Sequence, residues 1–193
     1  DCIFMPSITT VPPENTEKTS ESMCAVVKGY PIVLKNSDNP QKLFGIRYEA
    51  PLFHWCSEDD QTTQILRYFK TAFGIDEKET GAALAAARAS QNLFHDTQMA
   101  EGERVIRECE EKGTYAVVLA SRPYQNDALV NHDLPAMFTN MEIPVLTADA
   151  VPGIDSQALR NSRLDVVNNF HGRMLSTALI AAKSTALEYV QVV

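Results

Sequence analysis

The sequence predicts an α/β protein built on a doubly wound, mostly parallel sheet with flanking helices and divided into two subdomains. Three observations carry that expectation. Residues 115–120 (YAVVLA) form an unbroken apolar run of the kind found in strands covered on both faces, as parallel strands are. Residues 143–147 (IPVLT) make a second, shorter strand-like run. Helical patterns precede, separate and follow the two runs, and this alternation is how a doubly wound sheet is assembled.

Taken in order, residues 2–5 (CIFM), stopped by Pro6, have the length of a buried strand. Residues 9–22 hold Pro12 and Pro13 and little that is apolar, and read as a loop leading into a helix. Residues 23–34 (MCAVVKGYPIVL) begin that helix, and Gly29 with Pro31 is expected to end it, leaving Cys24 about two turns before a bend. Residues 36–42 are turn-forming, and residues 46–55 alternate as a strand broken at Pro51. Beyond Asp59 the period changes: Ile65, Leu66, Phe69, Ala72 and Phe73 make one helical stripe, closed by Gly74. Asp76 then caps a long helical run to Gly113, with Glu79 completing a capping-box-like pair and Gly102 expected to mark a bend.

Residues 126–141 suit a helix with irregular ends between the two apolar strands. The last helix is predicted to pack on the sheet through Leu175, Ala178, Leu179, Ala182, Ala186, Tyr189 and Val190, before residues 189–193 open another strand. The expected division is 1–75, a first α/β portion containing Cys24, and 76–193, a helix-rich and sheet-bearing portion. The chain begins without Met or a signal peptide and stops within a strand-like run, so both ends are expected to be cuts in a longer protein.

Composition narrows the function. With 17 basic against 25 acidic residues and a net charge of -8, the summed field opposes nucleic-acid binding. No apolar run approaches the ~20 residues of a membrane span. The cysteines at 2, 24, 56 and 109 include no CxxC pair, and widely spaced thiols without an export signal fit the reducing cytoplasm. Cys56 and Cys109 read as buried core residues. A glycine-rich phosphate loop, a nucleophile elbow and an HExxH zinc site are all absent from the sequence.

Chemistry is expected in the loop after the first buried strand, because ligands of open α/β sheets bind beyond the carboxyl ends of the strands. That loop, SRPYQNDALVNHD, is longer and more polar than a plain connection. Arg122 suits a carboxylate or phosphate, Tyr124 offers a hydroxyl or a stacking face, and Asp127 either caps the next helix or orients His132. The plainer alternative is an Arg122–Asp127 ion pair, a capping Asn126 or Asp127 and a surface His132. Asp149, after the second strand, is a candidate wall of the same cleft. His54, Trp55 and Cys56 read as a packed turn, and His95 and His171 as structural or exposed helix residues.

At this loop the sequence resembles the component-D-like region of 2-hydroxyacyl-CoA dehydratases and their activase-related proteins, whose pattern is R-P-Y-H-x-D-P-x-x-N-H-G. Arg122, Pro123, Tyr124, Asp127, Asn131 and His132 match it, while Gln125, Ala128 and Asp133 depart from it. Cys24, Val27, Tyr30 and Pro31 match an N-C-P-x-V-x-x-Y-P segment, and Asn169, residues 171–173 and residues 187–191 resemble a following helix and strand. The resemblance implies a Rossmann-like fold and a cytoplasmic iron-sulfur protein of anaerobic metabolism. In such a protein a [4Fe-4S] cluster, held by thiolates including Cys24, serves electron transfer to, or dehydration of, a 2-hydroxyacyl-CoA.

It implies Arg122, Tyr124, Asp127 and His132 as substrate-binding residues. The implied partners are an acyl-CoA or a dehydratase subunit, and an ATPase domain of the same chain or complex. The parent protein would be a lyase or its ATP-dependent activase. The piece alone would be inactive and without the cluster, since further cysteines are expected beyond Val193. The alternative is a non-catalytic Rossmann-like binding or interaction module of a larger activase protein, which Gln125 in place of His favours.

Overall fold

The computed structural model describes residues 1–13, 22–159 and 169–192. It is a mixed α/β protein whose described strands are short and pair in parallel, in three small sheets. This is less than the single doubly wound sheet expected from the sequence. The described chain divides into two compact units, 1–13 with 22–87, and 88–159 with 169–192. Among the described residues no helix is long and apolar enough to cross a membrane.

The first unit holds two pairs of short strands. β1 (Cys2–Phe4) pairs with β3 (Arg47–Glu49), and β2 (Ser7–Thr10) with β4 (Leu52–His54). Cys2 lies opposite Arg47 and Ser7 opposite Leu52, so one register runs from β1 into β2 as far as Ile8, beyond which it shifts by one residue. Pro6 and Pro51 face each other at the break, each lacking the N–H that a ladder needs. The backbone N–H groups of Met5 and Ser7 donate across the gap to Glu49 and Pro51 at 2.8 Å. The ribbon is only partly covered: Cys2 and Phe4 are exposed, against the buried strand predicted there.

Helix α1 (Ala25–Ser37) runs through Gly29 and Pro31 and does not end at them. Proline removes the N–H that would bond the Val27 carbonyl, so continuation of the helix through it draws on contacts from outside the helix. The buried Ser7 hydroxyl donates to the Lys28 carbonyl, and the Tyr48 hydroxyl donates to the Pro31 carbonyl at 2.8 Å. Pro31 is itself buried. Tertiary contacts thus carry a helix that local propensity would have stopped. Cys24 is its N-cap residue, and the helix does not end two turns on.

The short helix α2 (Pro40–Phe44) follows, capped by the Asn39 side chain. α3 (Glu58–Phe73) begins at Ser57, whose hydroxyl accepts the Asp60 N–H, and ends at Gly74 in the left-handed region with φ 70. Phe69 and Phe73 of its predicted stripe join an aromatic cluster with Phe4 and Phe53, centred on Tyr68, a residue outside that stripe. The Tyr68 hydroxyl donates to Glu49 at 2.6 Å and Arg47 donates to the same carboxylate at 2.7 Å. Those two bonds, Tyr68 first, hold the Glu49 carboxyl below the usual range.

Helix α4 (Glu77–Lys112) starts as predicted, the Asp76 carboxylate accepting the Glu79 N–H at 2.8 Å. It continues as one helix past Gly102, which is buried.

In the second unit, β5 (Ala116–Ala120) is the central strand, buried at every residue. After it come a 3-10 turn at Pro123–Asn126, α5 (Ala128–Asn131), α6 (Leu134–Thr139) and β6 (Val145–Thr147). A second 3-10 turn at Ala148–Ala150 and a third at Ile154–Ser156 precede α7 (Asn169–Ala181) and β7 (Leu187–Gln191). The sheet order is β6-β5-β7, all parallel. Cys109, Val118, Leu146, Val151, Ala181 and Leu187 lie in its core.

α7 does not use the predicted stripe. It ends before Ala186, Tyr189 and Val190, which belong to the next turn and strand, and Leu179 is exposed. Its buried face is Gly172, Ser176, Thr177 and Ala181, small residues that let the helix approach closely. Thr177 directs its hydroxyl to its own helix, donating to the Arg173 carbonyl at 2.8 Å, so a polar face is buried without an orphaned donor.

Candidate functional site

The order β6-β5-β7 has a topological consequence. The chain leaves β5 to form β6 on one side and then crosses to form β7 on the other, so its winding reverses at β5. Ligands of open α/β sheets bind in the crevice beyond the carboxyl ends of the strands at such a reversal. Here that crevice lies between β5 and β7. Ala120 pairs with Gln191, and the Val192 N–H donates to the Ala120 carbonyl at 3.1 Å, setting both strand ends level.

The loop after β5 closes on itself at this edge. The Gln125 side chain accepts the Arg122 backbone N–H at 3.0 Å, and the Gln125 N–H donates to the Arg122 carbonyl at 2.9 Å. This reciprocal pair turns Arg122 and Tyr124 toward a cavity of about 350 Å³. Gln125 lines it with them. α7 supplies His171 and Met174, and the end of β7 supplies Gln191 and Val192.

Two of the residues predicted to share this site do other work. Asp127 accepts the Leu129 N–H at 2.9 Å and caps α5, the first of the two roles open to it. His132 is the exposed C-cap residue of α5, left-handed with φ 54. Neither lines the cavity. Asp149 lines a narrower cleft on the β6 side of β5 with Ser121 and Asn126, and there forms an ion pair with Arg173 of α7.

His171, expected to be structural or exposed, is half-buried and lines the cavity. Burial first, and then the facing Arg122 guanidinium, hold its imidazole below the ordinary value of 6.5. The sequence signal was present: Arg122 and His171 belong to two segments that the family pattern matched separately, and only the fold brings them together. Below 6.5 the unfolded chain binds a proton that folded His171 resists, so this group's contribution to stability is complete above 6.5 and is lost as pH falls through that window. Thermal melts of wild type and His171→Gln from pH 7.5 to 5 check this. The variant is expected to lose stability less steeply below 6.5, and equal slopes would remove the assignment.

Cys24 is half-buried in the first unit, while the Arg122 loop lies in the second. All four cysteines are thiols, without disulfides. Cys109 is buried as expected, which raises its pKa, whereas Cys56 is exposed and not core. His54 Nδ1 hydrogen-bonds the Thr9 hydroxyl. A [4Fe-4S] cluster is held by four thiolates. Among the described residues no three His, Cys, Asp or Glu side chains gather to hold a metal ion. These residues alone therefore do not fit such a cluster.

Residues 1–151, which include Cys24 and the Arg122 loop, match a family model described as a CoA enzyme activase uncharacterised domain. No curated protein and no solved structure gave a match.

Proposed function

Because the chain belongs to the CoA enzyme activase uncharacterised domain family, we propose that it is a ligand-binding domain of an activase-related protein and that it binds an acyl-CoA. The observation that carries this reading is the cavity at the reversal point of the sheet, faced by Arg122 and Tyr124 of the family-like loop. Binding without catalysis is favoured by Gln125. Where the family pattern has His, this side chain is committed to closing the loop through the Arg122 N–H, which leaves no proton-transfer group at that position. A Rossmann-like relationship of the second unit, and a cytoplasmic location, belong to the same proposal.

The test is a calorimetric titration of the chain with a 2-hydroxyacyl-CoA, free CoA and ATP. Saturable acyl-CoA binding in the millimolar range or tighter is expected, and a chain that binds no CoA species would overturn the reading.

The finer reading places the parent protein in [4Fe-4S]-dependent electron transfer to a 2-hydroxyacyl-CoA or its dehydration, together with an ATPase domain and a dehydratase partner. Cys24 would then supply one thiolate, the others coming from outside the described set. Anaerobic reconstitution of the parent protein tests it: Cys24→Ala is expected to lower bound iron and sulfide, and an unchanged iron content would remove Cys24 from the ligand set.

A further inference from the structure

We propose that the groove between the outer edge of β4 and α3 takes an extended peptide segment of a partner protein as an added strand, with an apolar side chain seated on Pro51 and Tyr68 and an acidic one against Arg67. The groove lies in the first unit and is independent of the acyl-CoA reading.

The edge is open by geometry. The Ser7 N–H donates to the Pro51 carbonyl at 2.8 Å and the Thr9 hydroxyl to the Phe53 carbonyl at 3.1 Å, so residues 51 and 53 turn their backbone groups toward β2. Those of Leu52 and His54 therefore face the other way. At His54 a side chain already stands where a strand would: the Gln64 amide oxygen accepts the His54 N–H at 3.1 Å and the amide nitrogen donates to the His54 carbonyl at 2.5 Å. At Leu52 no described residue does the same, and its side chain is 56% exposed. Sheet edges are normally guarded by charge, proline or a covering element. Pro51 gives no such protection, because its missing N–H lies on the β2 side.

The groove defines the kind of strand that fits. It encloses about 480 Å³, with Pro51, Leu52 and Phe53 on one wall and α3 on the other. Along the helix wall the polar groups are committed, Gln64 to His54, the Tyr68 hydroxyl to Glu49 and the Thr71 hydroxyl to the Arg67 carbonyl. The Arg67 guanidinium is the exception: among the described residues it has no ion pair or hydrogen bond. Its helical neighbours at 63, 64, 70 and 71 include no carboxylate, and Lys70 pairs with Glu77. A cation beside an apolar groove favours a carboxylate in whatever segment enters it. In an added strand the main chain supplies affinity and alternate side chains, about 6.6 Å apart, supply selectivity. An apolar residue followed two places later by an acidic one meets both features.

The experiment selects a phage-displayed random heptapeptide library on the immobilised full chain, with Arg67→Glu as the counter-target, and measures the enriched peptide by fluorescence anisotropy. A proline-free pattern of apolar, any, acidic is expected. Arg67→Glu should weaken that peptide by tenfold or more, about 1.4 kcal/mol, and lysine in place of the peptide's acidic residue should restore binding to the variant. Because Arg67 is exposed and unpaired, its substitution should leave the urea midpoint unchanged. N-methylation of the peptide amides that face β4 should abolish binding, and methylation of the alternate amides should not.

A library with no enrichment over the Arg67→Glu target would overturn the proposal, as would a peptide indifferent to which amides are methylated. Self-association of the chain that Arg67→Glu abolishes would assign the groove to a second copy and overturn the partner peptide.

Discussion

Replacing Gly102 by Ala is expected to destabilise the second unit by roughly 1–3 kcal/mol, the usual cost of forcing a methyl group into a packed site. A Cβ at this position would overlap the Ala150 carbonyl oxygen and lie 2.8 Å from its carbon. Both are backbone atoms, so no rotamer change relieves the contact. Gly81, in the same helix, has nothing within 4 Å of such a Cβ, and Gly81→Ala should therefore stabilise α4 by about 0.5–1 kcal/mol through helix propensity. Urea denaturation of the two variants should thus give shifts of opposite sign. Equal or positive shifts for both would show that α4 does not approach the turn after β6 so closely.

The consequence reaches the cavity. Ala150 follows Asp149, whose ion pair with Arg173 ties the turn after β6 to α7, two residues beyond His171. Pushing the turn away from α4 displaces that anchor. Gly102→Ala is accordingly expected to weaken acyl-CoA binding as well as stability, with hydrogen exchange rising first at the amides around residues 147–151.

Several elements were legible because their causes are local. Asp76 and Gly74 delimit helices through a hydrogen bond or a left-handed φ made within a few residues. The run at Ala116–Ala120 is apolar at every position because the strand is covered on both faces, and a pattern of that kind needs no tertiary information. Pro31 was misleading for the opposite reason. The helix there is braced by the Ser7 and Tyr48 hydroxyls on the Lys28 and Pro31 carbonyls, and both hydroxyls come from segments distant in sequence. The buried face of α7 was missed because Gly172, Ser176 and Thr177 are selected for closeness, whereas a hydrophobic stripe was sought.

Of the four loop residues expected to bind, two line one cavity. Arg122 and Tyr124 follow a buried strand, where topology places ligands, and the loop's polarity marked them. Asp127 and His132 carry the same family-like signature but sit one short helix further on, in capping roles that their spacing could not separate from binding. His171 and Gln191 became visible only when β7 was placed on the far side of β5, since no sequence pattern states strand order.

Phe53→Ala should have the largest effect on the first unit, about 3–5 kcal/mol, as expected for truncating a buried aromatic residue. Phe53 is 4% exposed at the centre of β4. Its ring stacks on Trp55 with centroids 5.4 Å apart and meets the edge of Tyr68 at 5.7 Å. Tyr68 in turn donates to Glu49, so the truncation loosens the attachment of α3 to β3 as well as leaving a void. The void would join a cavity of about 480 Å³ that Phe53 already borders with Leu52 and Tyr68. A loss of this size is a large share of the ~5–15 kcal/mol that holds a domain folded. Trp55 is the only tryptophan in the chain, so its fluorescence reads this unit alone. The variant is expected to show red-shifted emission and a much lower urea midpoint, with Phe53→Leu in between because it refills part of the volume. If Phe53→Ala left the emission unchanged and cost less than about 1 kcal/mol, the ribbon of β2 and β4 would not be organised around this ring, and the stacking on Trp55 would be incidental to the fold.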